Sequence, residues 1–175
     1  NDTVNDRIAT ALHHWGTLGI HFLIDVSVGD FVTYYHCEEV NKTIDAIMEF
    51  ADTYNFTNFR GITLDIEGSG QLNASYVKSE EAYEAGKFSF NEKFKEFRLR
   101  FPGKQVNGIS MEHTMFDILD GDNDLQIAQR TVDHTLDFDM NGYMTYHTGF
   151  ESPCRSSYYY TVHMIQGVKQ FGMKF

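Results

Sequence analysis

Gly61-Ile62-Thr63-Leu64-Asp65-Ile66-Glu67 is an apolar, β-branched run that ends on two carboxylates and is closed by Gly68-Ser69-Gly70. Its length and residue types predict a strand over Gly61–Ile66. Side chains alternate along a strand, so Asp65 and Glu67 share one face while Leu64 and Ile66 share the other. The two carboxyls then stand about 7 Å apart along the mouth end of the strand. At that spacing they couple, and one holds a proton near neutral pH. A general acid beside a charged stabiliser needs that division. Two solvated acids at a strand terminus fit the same seven residues, so the surroundings decide between the readings.

Upstream, Val40, Ile44, Ile47, Met48, Ala51 and Tyr54 recur at helical spacing. Before them Ile20–Val28 is a second run of strand length, and Val4, Ile8, Ala11, Leu12, Trp15 and Leu18 mark a first helix ended by Gly19. Trp15 falls on the apolar face of that helix and is assigned to the core. Downstream, Phe90, Phe94, Phe97 and Phe101 line a long helix stopped by Pro102-Gly103, and Gln105–Met111 reads as the next strand. Leu125, Ile127, Ala128 and Val132 suggest a fourth helix, and Phe138–Tyr146 a fourth strand containing Gly142. Tyr158, Val162, Ile165 and Val168 suggest a fifth helix, with a last strand at Gly172–Phe175.

Regular alternation of helix and strand predicts an α/β fold, a parallel sheet with helices outside it. An open doubly wound sheet and a closed (β/α)8 TIM barrel both meet that description. A nucleotide-binding sheet carries a glycine-rich turn after its first strand, and no strand here is followed by G-x-G-x-x-G. The acidic and aromatic residues gather instead at the C-terminal ends of several strands, where barrels place their chemistry. A TIM barrel is therefore expected. Five strands do not close one, and 175 residues fall short of the roughly 250 of a typical barrel. The expected organisation is one domain, residues 1–175, forming part of a barrel whose remainder is supplied by the rest of the polypeptide or by another fragment.

With 42% apolar and 15% aromatic residues the chain has the composition of a folding domain. A net charge of −11 without any Lys/Arg cluster argues against nucleic acid or an anionic membrane as partner. No apolar run is long enough to predict a membrane span. Four N-x-[ST] sequons, at Asn1, Asn41, Asn55 and Asn73, exceed the about 1.3 that ten Asn and 23 Ser plus Thr would give by chance. They point to a secreted or lumenal glycoprotein. Cys37 and Cys154 are compatible with a disulfide there and equally with free thiols.

Two further constellations join Asp65 and Glu67. Met144-Thr145-Tyr146-His147 ends the fourth strand, with Met144 and Tyr146 on one face, so the Tyr146 hydroxyl can enter the barrel mouth. Ser27-Val28-Gly29-Asp30 ends the first strand, where a small residue and a glycine leave room for a ligand. Together the three resemble the family 18 glycoside hydrolases, the chitinases and endo-β-N-acetylglucosaminidases. That family carries S-x-G-G, D-x-x-D-x-D-x-E and M-x-Y-D at the ends of its third, fourth and sixth strands. The corresponding positions here are Ser27 and Gly29; Arg60, Thr63, Asp65 and Glu67; and Met144, Tyr146 and His147. On this resemblance the chain covers about strands 3 to 7, with strands 1, 2 and 8 lacking.

The resemblance implies substrate-assisted retaining hydrolysis of β-linked N-acetylglucosamine glycans, without a cofactor or metal. It implies Glu67 as acid and then base, Asp65 as the residue orienting the substrate acetamido group, and Tyr146 as a hydrogen-bond partner of that group. Met144, His147, Ser27, Gly29 and Thr63 are implied to line the sugar subsites. Departures from the pattern are Arg60 and Thr63 for two acids, Asp30 for a glycine and His147 for an acid. The alternative is a catalytically silent, chitinase-like glycan-binding or structural extracellular protein. A metal-dependent hydrolase using Asp65, Glu67, Glu112, His113 and His147 is disfavoured, because Glu112 and His113 are sequence neighbours and point to opposite faces. A family 25 lysozyme-like barrel also places D-x-E on a strand, but it does not explain the Met-x-Tyr and Ser-x-Gly spacings.

Overall fold

The computed structural model describes residues 3–27, 37–65, 80–111 and 136–144. In them helices and strands alternate: α1 (Val4–Thr17), β1 (Phe22–Ser27), α2 (Cys37–Tyr54), β2 (Phe59–Asp65), α3 (Glu80–Arg100), β3 (Gln105–Met111) and β4 (Met140–Met144). The strands form one sheet in the order β1-β2-β3-β4, and each neighbouring pair is parallel. The chain is thus α/β, as the alternation of patterns predicts. The helix expected near Leu125–Val132 and the elements expected beyond Tyr158 lie outside the described residues.

Local chemistry sets the element ends. Thr3 caps α1: its hydroxyl accepts from Asp6 N at 3.2 Å, and Asp6 Oδ2 accepts from Thr3 N at 2.8 Å. Gly19, with φ at 73°, takes the left-handed turn that leaves the helix. Ile20 N donates to Trp15 O at 3.0 Å, so sheet pairing begins at Phe22 and not at the expected Ile20. Asn58 joins three elements: its buried side-chain amide donates to Leu12 O at 2.9 Å and Ile20 O at 3.0 Å, while its backbone carbonyl accepts from Phe22 N at 3.1 Å. That clamp lets β2 start at Phe59, earlier than expected.

The core lies between one face of the sheet and helices α2 and α3. Val40, Ile44, Ile47, Met48 and Ala51 of α2 and Phe90, Phe94 and Phe97 of α3 pack on Val26, Ile62, Leu64 and Val106. Full burial of each large side chain contributes on the order of 1.5–3 kcal/mol. Phe138 completes this layer, its ring 5.4 Å from that of Phe94. It can do so because Gly108 has no side chain: a Cβ there would stand 2.5 Å from the Phe138 ring. Asp139 then fastens β4 to β3, its N–H donating to Val106 O at 2.8 Å and its carboxylate accepting from Val106 N at 2.7 Å. Arg98 holds the same corner from α3, reaching Asp137 Oδ2 at 2.9 Å and Asp139 Oδ2 at 3.3 Å.

Trp15 corrects an expectation. It is 44% exposed, as are Val4, Ile8 and Leu18 to similar or greater degree, so it is not a core residue. Helix α1 meets the rest of the fold through Ala9, Leu12 and His13, whose ring lies 4.7 Å from Phe56. That rotation turns Trp15 toward an open apolar groove beside β1, shared with Ile8, Leu23 and Phe50. Among the described residues no helix is long and apolar enough to cross a membrane.

Candidate functional site

The sheet has a second face, and its composition differs from the core face. The registers pair Leu23 with Gly61, Asp25 with Thr63 and Ser27 with Asp65. They continue from Gly61 to Gln105, from Thr63 to Asn107 and from Asp65 to Ile109. On β4 the same rows reach Met140 beside Asn107, Gly142 beside Ile109 and Met144 beside Met111. Because Ile24, Val26, Ile62, Leu64 and Val106 are the core residues, alternation puts these others on the opposite face. Two polar rows result: Asp25, Thr63 and Asn107, and above them Ser27 and Asp65.

Asp65 closes β2 at its C-terminal end and is half-buried. Its Oδ1 is fully buried and has no hydrogen-bond partner among the described residues. Burial raises its carboxyl above the ordinary carboxylate value. Asp25, exposed on the edge strand β1, is raised as well, first by the partial desolvation of its carboxyl and then by the negative charge of Asp65. Asn107 is 3% exposed, and neither its Oδ1 nor its Nδ2 has a partner among the described residues. Polar atoms held out of water, as the Asn107 amide and Asp65 Oδ1 are, interact more strongly with a polar ligand than they would in solution.

Four of the residues expected at the site fall into this arrangement. Asp65 and Thr63 share the face on β2, Ser27 stands level with Asp65, and Met144 ends β4 level with Met111. Glu67, Gly29, Tyr146 and His147 lie outside the described residues. Of the candidate glycosylation residues, Asn55 is exposed just beyond α2, and Asn41 is half-buried with its amide donating to Ser89 Oγ at 2.9 Å. Asn1 and Asn73 lie outside the described residues, as does Cys154, whereas Cys37 opens α2 and is half-buried. Arg60, at the first acid position of the long motif, is exposed at the opposite end of β2, its guanidinium 3.0 Å from His21 Nε2.

Asp25 and Asn107 escaped the sequence reading. The signal for Asp25 was its position two residues before Ser27, hence on the same strand face. For Asn107 it was a polar side chain inside an otherwise strand-forming run, on the same parity as Ile109 and Met111. Among the described residues no group of three or more His, Cys, Asp or Glu side chains converges on a metal position. No protein-family model, curated protein or solved structure matches the chain.

Proposed function

We propose that the chain forms part of a TIM barrel of the kind found in family 18 glycoside hydrolases, and that it cleaves β-linked N-acetylglucosamine glycans by substrate-assisted retention. The observation that carries this reading is the placement of Asp65. It ends a parallel strand at the C-terminal edge, on the face away from α2 and α3, level with Ser27 in the ladder. Ser27 and Met144, from the other two motifs of the resemblance, end neighbouring strands of the same sheet, which supports the reading.

The strand order supports the barrel. A doubly wound sheet reverses its order at a switch point and carries helices on both faces. Here the order runs β1-β2-β3-β4 without reversal, and α2 and α3 cover the same face. Continued, that winding closes into a barrel with the Asp65 face inside.

In the proposed reaction Glu67 protonates the leaving glycosidic oxygen as the bond to the anomeric carbon breaks. The substrate's acetamido oxygen forms the new bond to that carbon and gives an oxazolinium ion. Asp65 orients the acetamido N–H and stabilises the positive charge that develops there, and Tyr146 hydrogen-bonds to the acetamido oxygen. Glu67, now a carboxylate, takes a proton from the water that opens the ring. A carboxyl held partly out of water, as at Asp65, suits the orienting role.

The test is hydrolysis of a fluorogenic N,N′-diacetylchitobioside by the full-length protein beside its Glu67→Gln variant. Turnover that drops at least about 10²-fold in the variant is the expected result. Binding of chito-oligosaccharide with no turnover by either protein overturns the hydrolase reading in favour of the silent glycan-binding one.

A further inference from the structure

Asn107 forms the floor of a recess on the polar face. Its register neighbours are Thr63, which is half-buried, and Met140, which is 60% exposed. Along its own strand, on the same face, stand Gln105, exposed, and Ile109, half-buried. A residue only 3% exposed between more exposed neighbours is a short side chain among taller ones. Met140 and Gln105 are unbranched and change rotamer readily, so a ligand needs only to part side chains to reach the amide.

Three buried polar atoms of this face have no partner among the described residues: Asn107 Oδ1, Asn107 Nδ2 and Asp65 Oδ1. Buried polar groups are as a rule hydrogen-bonded, and leaving them open costs stability. Several such atoms on one face mark a place where a ligand completes the bonding. Asn107 and Asp65 lie diagonally across the β2–β3 ladder, since Thr63 pairs with Asn107 and Asp65 with Ile109. Strand spacing and rise set their Cα atoms about 8 Å apart. The two side chains do not bond to each other. The gap suits one inserted group with a donor at one end and an acceptor at the other. A trans amide is such a group, because its N–H and C=O point in opposite directions.

We propose that Asn107 is a substrate-binding residue that reads the N-acyl group of the sugar, its Nδ2 donating to the acyl oxygen while the acyl N–H donates to Asp65 Oδ1. This rests on the hydrolase reading above and adds to it a contact from β3, a strand that carries none of the three motifs. A carbonyl oxygen has two lone pairs, so this bond and the one assigned to Tyr146 are compatible. A sugar with a free amine in place of the acyl group has no carbonyl for Asn107 to meet. Asn107 therefore selects N-acylated over de-N-acylated glycans.

The bond already exists in the bound ground state, so its loss weakens binding and leaves turnover of bound substrate nearly intact. In the full-length protein, Asn107→Leu is expected to raise KM for the fluorogenic N,N′-diacetylchitobioside about 5- to 100-fold with kcat within about threefold. Titration calorimetry in a Glu67→Gln background should show the same loss for N,N′,N″-triacetylchitotriose and none for chitotriose lacking the acetyl groups. Urea unfolding of Asn107→Leu is expected to show no loss of stability, which separates a ligand-binding amide from one that holds the fold together. Unchanged affinity for the acetylated oligomer, or an equal loss for both oligomers, overturns the proposal while the hydrolase reading stands. Affinity and stability falling together also overturns it. Binding that depends on Asn107 in a wild-type protein without turnover would overturn the hydrolase reading and leave this contact standing. A wild-type protein that neither cleaves nor binds the acetylated oligomers overturns both.

Discussion

Asn107 stands level with Thr63 across the β2–β3 ladder, 3% exposed, with both polar atoms of its amide lacking a partner among the described residues. A buried amide left in that state costs about 1–3 kcal/mol relative to an apolar group of the same shape. Asn107→Leu is nearly isosteric and removes the cost. The variant should therefore unfold at higher urea concentration than the wild type, by about 1 kcal/mol or more, with an unchanged slope. Lower stability would show that the amide is satisfied in the folded protein.

Two carboxyls push stability in opposite directions with pH. Asp6 is held below its ordinary 3.8 first by the Thr3 hydroxyl, then by the Tyr54 hydroxyl, which donates to Asp6 Oδ1 at 2.7 Å. Its contribution is present above pH 3.8 and is lost as pH falls through the lowered folded value. Asp65 is raised by burial, so its ionisation opposes folding: its stabilising state exists below 3.8 and is lost as pH rises through the folded value. Asp65→Asn should thus raise Tm at neutral pH, an advantage that vanishes in acid. Asp6→Asn should lower Tm at neutral pH, with its deficit vanishing in acid. Thermal unfolding of both variants at the two extremes of pH checks the signs.

Gly61 is required by its conformation and by its neighbour. Its φ is 141°, and a Cβ built there would lie 1.9 Å from the Gln105 backbone oxygen, its partner in the ladder. Any side chain forces β2 and β3 apart at the row below Thr63 and Asn107. Gly61→Ala is expected to cost at least about 2 kcal/mol in denaturant unfolding. A near-neutral result would mean that the ladder is looser at this row than its geometry implies.

Helical spacing and apolar strand runs made the α/β alternation legible. Gln105–Met111 is found with its expected bounds, because Pro102-Gly103 stops α3 and Asp139 engages Val106. What the sequence could not convey is rotation and level. Trp15 repeats at the spacing of a core residue, yet α1 turns Ala9 and Leu12 inward. The pairing of Asp25 with Thr63 depends on an irregularity between Phe22 and Leu23 that shifts β1 against β2. A one-residue slip there would carry Asp25 to the core face. The polar row is accordingly a property of register, invisible in either strand read alone. Asn58, clamping α1, β1 and β2, is equally a matter of tertiary placement.

Asn41 and Asn55 carry equivalent sequons but differ in what their amides can do. Asn55 follows the last residue of α2 with φ at 48°, is exposed, and has an exposed Thr57 two residues on. Its backbone N–H donates to Ala51 O at 2.9 Å, which ends the helix and leaves the side chain free to be approached. Asn41 lies inside α2, and its Nδ2 is committed to Ser89 Oγ on α3. Linking a sugar to that nitrogen would remove the bond and force a hydrophilic group into the α2–α3 contact. Expression in a glycosylating eukaryotic host, with peptide mass spectrometry after enzymatic deglycosylation in heavy-oxygen water, is expected to label Asn55 and leave Asn41 unmodified. Modification at Asn41 would show that the sugar is attached before α2 meets α3, and absence at Asn55 would remove the main support for a secreted or lumenal location.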